Sequence, residues 1–387
     1  MVPHDDLLAR RADYPILERS AAYLINNSLG AMHRGTPDRL AEYARLWESE
    51  GVVAWSTWFP EMTRVADLVG TVIGADAGTT ILRQSVSDAM VAVASCLDFS
   101  GGRNRVVTTA ADWPGTHYFW TEHCRRHGGE VVVVPFEEDG ITVDSQRVAD
   151  AVDERTCAVS VSLVQFRTSA LLDLAPIQEA AHRREALLIV DAYQAAGAVP
   201  VGMSARGIDV CLGGSVKFLC GGPGNGWLSI RADLVGSLRP SAVGWISHRD
   251  PFAFAWDAID YAPGIGRFAG GTPNVPAAYA ASAGYQAIVE VGVQRIRERS
   301  QALTQLVVEA AVERGYDVRS PMDAARRGGH VTLDPGDAAR VSEELIRRGV
   351  IVDYRPGSGI RIGPHFFTTE DECVAVIDEI EAIRSGR

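Results

Sequence analysis

The sequence predicts an α/β protein, with a large domain built on a mainly parallel sheet flanked by helices and a smaller α+β domain beside it. Two observations carry that prediction. Short apolar, β-branched runs alternate with helical patterns over residues 105–191, the spacing of βαβ units. From about Val275 the texture changes to long helical stretches followed by brief strand-like pieces.

Taken in order, RVVTT (105–109) is the first strand of the alternating region, and HYFWTEHCRRHG (117–128) the crossover helix after it. EVVVVPF (130–136), CAVSVSLV (157–164) and LLIVD (187–191) supply three further strands, with LAPIQEAAHRREA (174–186) as a second crossover helix. Beyond them, residues 277–315 are helical, HVTLDP (330–335) and VIVDYRPG (350–357) are strand-like, SEELIRRG (342–349) is helical, and an acidic helix closes the chain. The expected organisation is an amino-terminal segment, 1–50, joining the small domain, a large domain over 51–275, and a small carboxyl-terminal domain over 276–387.

Composition narrows the function. A chain of 387 residues, 47% hydrophobic and 22% charged, buries a substantial core and is not generally disordered. No apolar run reaches the roughly 18–20 residues that span a bilayer. The start, MVPHDDLLARRADYP, is too polar for a secretory signal, so the expected location is cytoplasmic, away from membranes. A net charge of -12 disfavours nucleic acid as a partner while allowing a local basic pocket for an anionic substrate. The six cysteines (96, 124, 157, 211, 220, 373) show no CxxC spacing, and His123 and His127 lack the glutamate of HExxH, so neither a metal site nor a disulfide framework is expected.

The chemistry concentrates between Ile189 and Lys217. LLIVDAYQ ends an apolar strand in a carboxylate, Asp191, and Lys217 follows inside GGSVKFLCGGPGNG. Ligand sites of open α/β sheets gather at the carboxyl ends of strands, where Asp191 falls. A carboxylate there stays ionised when paired with a cation such as a protonated pyridine nitrogen. A lysine among glycines and apolar residues has its pKa lowered and its amine made nucleophilic. Together they are what an enzyme needs to hold pyridoxal phosphate through a lysine amine.

DAYQAAGAVPVGMSARGIDVCLGGSVKFLCGGPGNGWLSIR (191–231) resembles the cofactor-binding stretch of fold type I pyridoxal phosphate enzymes of the class V aminotransferase group, kynureninases above all. YLINNSLG (23–30), SLVQFRTSALLDL (162–174), VGWISHRDPFAF (243–254) and RFAGGTPNVPAAYA (267–280) are similar to further kynureninase segments in the same order. The resemblance implies a homodimer with shared active sites. It makes Lys217 the cofactor lysine and Asp191 the partner of the ring nitrogen. Trp113 is the stacking aromatic, and Val86 and Ser87 form a helix start for the phosphate. Gln194 and Ser215 belong to the same cofactor set, and Trp245 and Thr272 reach the phosphate partly across the dimer interface. Arg361 is the fork for the substrate α-carboxylate, with Asn27 and Ser28 at the substrate end.

Three departures bear on the reaction. Val216 stands where kynureninases have a tyrosine before the lysine, Thr116 where they have a carboxylate, and Gln194 where they have a histidine. A glutamine at that place is familiar in cysteine desulfurases, yet SPMDAARRGGHVTL (320–333) contains no catalytic cysteine, and Cys373 falls in the last helix. The expected function is therefore a pyridoxal phosphate-dependent lyase or hydrolase cleaving an amino-acid side chain. The bond is carbon-carbon as in kynureninase, or carbon-sulfur in a cysteine conjugate. The alternatives are a decarboxylating or oxidatively deaminating enzyme, an aminotransferase, or a cofactor-binding protein without catalysis.

Overall fold

The computed structural model describes residues 5–256 and 258–386. Its larger sheet has seven strands in the order Thr80–Arg83, Gly226–Ile230, Val210–Gly214, Leu187–Asp191, Thr156–Ser162, Arg105–Thr109 and Glu130–Val134. Neighbours from Val210–Gly214 to Glu130–Val134 are parallel, and Gly226–Ile230 runs antiparallel to both of its neighbours. The predicted bounds of RVVTT and LLIVD hold to the residue. EVVVVPF stops at Val134, because Pro135 has no N–H to continue a ladder.

Register brings the chemistry to one edge. Ser162 pairs with Asp191 and Asp191 with Leu212, so two strand ends lie abreast beside the third strand with the carboxylate in the middle. The predicted crossover helices form as Pro114–His127 and Leu174–Arg183. The first starts with proline at its first turn and ends on Gly128 at φ 77°, a left-handed conformation that glycine adopts without strain.

The second sheet is antiparallel, in the order Asp353–Arg355, Gly359–Ile362, Val331–Asp334 and Asp317–Val318. It covers a separate core of Leu303, Val307, Leu333, Val341, Ile360 and Ile377. VIVDYRPG, expected as one strand, divides: Val350–Ile351 pairs in parallel with Ala22–Tyr23, while Asp353–Arg355 joins the antiparallel sheet. The amino-terminal segment is thereby stitched to the carboxyl-terminal third. Helix Val275–Val291 buries Ala278, Ala281, Tyr285 and Ile288 in the core of the large sheet. Gly292, at φ 87°, separates it from helix Val293–Glu313, whose Leu303 and Val307 enter the second core.

Among the described residues, no helix is long and apolar enough to cross a membrane. Nor does any cluster of histidine, cysteine and carboxylate side chains there suit a metal ion.

Candidate active site

A cavity of about 420 Å³ opens where the two sheets meet, at the carboxyl edge of the large one. Nine of the candidate site residues line it: Asn27, Ser28, Val86, Ser87, Trp113, Asp191, Gln194, Lys217 and Arg361. They come from segments up to 334 positions apart (361 minus 27), so the fold and not the chain assembles them.

Lys217 sits on a tight turn fixed from both sides. Cys220 N–H donates to its carbonyl at 2.9 Å, and Gly30 N–H, in the NSLG segment, donates to Val216 O at 2.7 Å. A Cβ on Gly30 would lie 2.1 Å from Lys217 O, so only glycine lets this segment press against the lysine turn. Gln194, three residues past Asp191, donates from Nε2 to Asn27 O at 3.1 Å and ties the same segment to the sheet edge.

Asp191 accepts the Tyr193 backbone N–H at 2.8 Å. Burial pushes its carboxyl pKa up, while that hydrogen bond and the Lys217 charge pull the other way. Burial likewise pushes the Lys217 amine pKa down, against the Asp191 charge, and the guanidinium groups of Arg361 and Arg355 depress it further. Both ionised forms therefore cost energy in the protein by itself, the signature of a site organised for a ligand.

Helix Val86–Ala94 begins at the cavity wall. Ser85 caps it by accepting the Asp88 N–H at 3.1 Å, and Val86 and Ser87 of its first turn line the cavity. Four polar groups around the cavity are buried without a protein partner: Gln194 Oε1, Asn225 Nδ2, Thr116 Oγ1 and the side-chain amide of Asn27. Buried polar atoms of this kind are rare without a ligand to satisfy them.

Arg361 is 1% exposed and already occupied on one side. Its Nε donates to Asp353 Oδ1 at 2.8 Å, an Nη atom pairs with Asp353 Oδ2, and Nη1 donates to Phe166 O at 2.8 Å. A guanidinium has five N–H donors, so two remain, and these can face the cavity for a second carboxylate. Arg355 lines the cavity as well and shares Asp353 Oδ2 at 2.9 Å. One aspartate thus joins two arginines beside Lys217.

Three predicted residues lie elsewhere in this chain. Ser215 is buried behind the turn, donating to Asn225 O at 3.1 Å and pairing with the Tyr285 hydroxyl. Trp245 and Thr272 are joined to each other, Nε1 to Oγ1 at 3.3 Å, away from the Lys217 cavity. Sequence reading missed Tyr193, Asn225, Arg355 and Asp353. Tyr193 and Asn225 stood inside the cofactor-like stretch 191–231. Arg355 and Asp353 carried a signal only in their alternation along DYR, which puts both on one face of a strand.

The fold is that of fold type I pyridoxal phosphate enzymes. A cysteine desulfurase from Thermococcus onnurineus NA1 superposes with a TM-score of 0.87 at 20% identity, covering 100% of this chain and 99% of that one. The family model "Aminotransferase class-V" matches residues 42–360, and the chain belongs to that family. An uncharacterized aminotransferase of Bacillus subtilis (strain 168) is 34% identical over 80% of each chain. A kynureninase of Deinococcus radiodurans is 31% identical over 97% of this chain and 95% of its own.

Proposed function

We propose that this protein is a pyridoxal phosphate-dependent enzyme that cleaves the side chain of an amino acid. The bond is carbon-carbon, as the kynureninase likeness favours, or carbon-sulfur in a cysteine conjugate. The observation that carries the proposal is the convergence of Asp191, Lys217 and Arg361 on one cavity.

The donor set fits the cofactor part by part. The Val86 and Ser87 N–H groups and the unpartnered Asn225 amide suit a phosphate. Asp191 suits a protonated ring nitrogen, Trp113 gives a flat apolar face, and Gln194 Oε1 is an unsatisfied acceptor for a ring hydroxyl. When bound, pyridoxal phosphate supplies an electron sink conjugated to the substrate α-carbon.

The remaining work falls to the chain. Lys217, its amine pKa pushed down by burial, would hold the cofactor through its aldehyde carbon, and the same amine, once free, would be placed to take the α-proton. Asp191 would favour the protonated form of the ring nitrogen, and Arg361 would orient the substrate by its carboxylate through the donors that Asp353 leaves free. Val216 offers no acid where kynureninases have a tyrosine. Trp245 and Thr272 act in a second subunit of a homodimer, a role in keeping with the exposed Phe252, Phe254 and Trp256 nearby.

The test is release of alanine, or of pyruvate and ammonia, from kynurenine-like amino acids and cysteine conjugates. Amino transfer to a keto acid with no side-chain release would replace this reading with the one favoured by the Bacillus subtilis likeness, an aminotransferase.

A further inference from the structure

Tyr193 has no part in the chemistry above, yet its ring lies directly against the Lys217 amine. Nζ is 4.2 Å from the centroid of the Tyr193 ring and 5.9 Å from that of Trp113, so the amine lies over both aromatic rings. Both aromatics line the cavity. The backbone of Tyr193 is fixed by its hydrogen bond to Asp191 Oδ1 at 2.8 Å, which sets where the side chain starts.

The strand opposite is cut to receive it. A Cβ on Gly214 would stand 2.4, 2.5 and 2.6 Å from Cε2, Cζ and Oη of Tyr193, closer than real contacts allow. Gly214 does not have a positive φ, so its backbone would accept alanine, and the three atoms nearest that Cβ, all of the tyrosine ring and its hydroxyl, are what require glycine there. The Val216 N–H faces the phenol oxygen, while burial first, then the Asp191 charge, pushes the phenol pKa up to about 12. The hydroxyl therefore stays neutral, and the ring face is what meets the amine.

We propose that Tyr193 is the positioning residue for Lys217: its ring, admitted by the notch at Gly214, forms with Trp113 a two-walled aromatic slot that holds the amine and takes a flat, aldehyde-bearing ring. This rests on the proposed pyridoxal phosphate chemistry for its ligand, but the slot itself is a property of the protein alone. A cation over an aromatic face and a ring stacked on it share one requirement, a planar π surface at fixed distance.

The experiment is a titration of the cofactor-free protein with pyridoxal phosphate, followed by absorbance, in wild type, Tyr193→Phe, Tyr193→Ala, Gly214→Ala and the double variant Gly214→Ala/Tyr193→Ala. Tyr193→Phe keeps the ring and should capture within about twofold of wild type. Tyr193→Ala and Gly214→Ala should each weaken capture about threefold to tenfold, the worth of one partly desolvated ring contact. The double variant should be no weaker than the weaker single one, because both changes remove the same wall. The proposal is overturned if Tyr193→Phe is as weak as Tyr193→Ala, if Tyr193→Ala captures like wild type, or if the two effects add.

Should wild type capture nothing, the cofactor reading falls, and the slot is read instead from competitive acetic anhydride labelling of Lys217. Equal rates for wild type and Tyr193→Phe with a changed rate for Tyr193→Ala support the slot; equal rates for all three overturn it.

Discussion

Arg361→Lys tests the carboxylate site most sharply, because charge survives the change and geometry does not. The native guanidinium spends three of its five donors on Asp353 and Phe166 O and leaves two for a ligand. Lysine has three donors at a single point, and holding Asp353 and the Phe166 carbonyl consumes the directions that matter. The loss is then two charge-assisted hydrogen bonds, partly offset by the retained charge, for a net of about 2–3 kcal/mol or roughly 30-fold to 150-fold in affinity. The assay is a spectral titration of the cofactor-loaded protein with L-alanine, which has the carboxylate, and with ethylamine, which lacks it. Alanine affinity should fall by that factor while ethylamine affinity moves less than about threefold. An alanine affinity within threefold of wild type, or an equal loss for both amines, would refute a carboxylate role for Arg361.

Other expectations follow from the same geometry. Lys217→Met should raise the melting temperature of the cofactor-free protein, by about 1–3 kcal/mol of stability, because a buried amine with a depressed pKa costs stability. That cost is present in full below the lowered folded pKa and vanishes above the ordinary lysine value, so the gap to wild type should shrink as pH rises between them. Asp191→Asn should weaken pyridoxal phosphate binding about 100-fold or more by leaving a ring cation unpaired, read by equilibrium dialysis, while lowering cofactor-free stability little, since the Asp191 carboxyl pKa is already raised by burial. Cys373 is fully buried in helix Glu370–Arg384, with its thiol pKa raised by burial, so Cys373→Ser should leave substrate turnover unchanged, measured as product release. A loss of turnover with the fold intact would reopen the desulfurase-type mechanism.

Legibility in the sequence followed local physics. RVVTT and LLIVD were plain because each is buried along nearly its whole length and bounded by breakers. Gly226–Ile230 and Val210–Gly214 were not, because their glycines serve close approach: Gly214 clears Tyr193, and a Cβ on Gly226 would meet Ser85 at 2.4 Å. Such glycines read as loop until the partner is known. Helix Val275–Val291 looks like the helix after it in composition, and only contacts tell that Tyr285 reaches Ser215 in the large core while Leu303 serves the small one. In the site, Asp191 and Lys217 announced themselves by sitting alone among apolar residues. Arg355 and Asp353 did not, since a charged pair on a short strand looks like surface until the fold sets Arg355 against the Lys217 cavity.

The most direct test of the central claim is the absorbance spectrum of the purified protein with pyridoxal phosphate, in wild type and in Lys217→Ala. Wild type should gain a band at about 410–430 nm that borohydride reduction fixes as added mass on Lys217, and Lys217→Ala should lack both. No band in wild type, or the same band and mass in Lys217→Ala, would contradict the account.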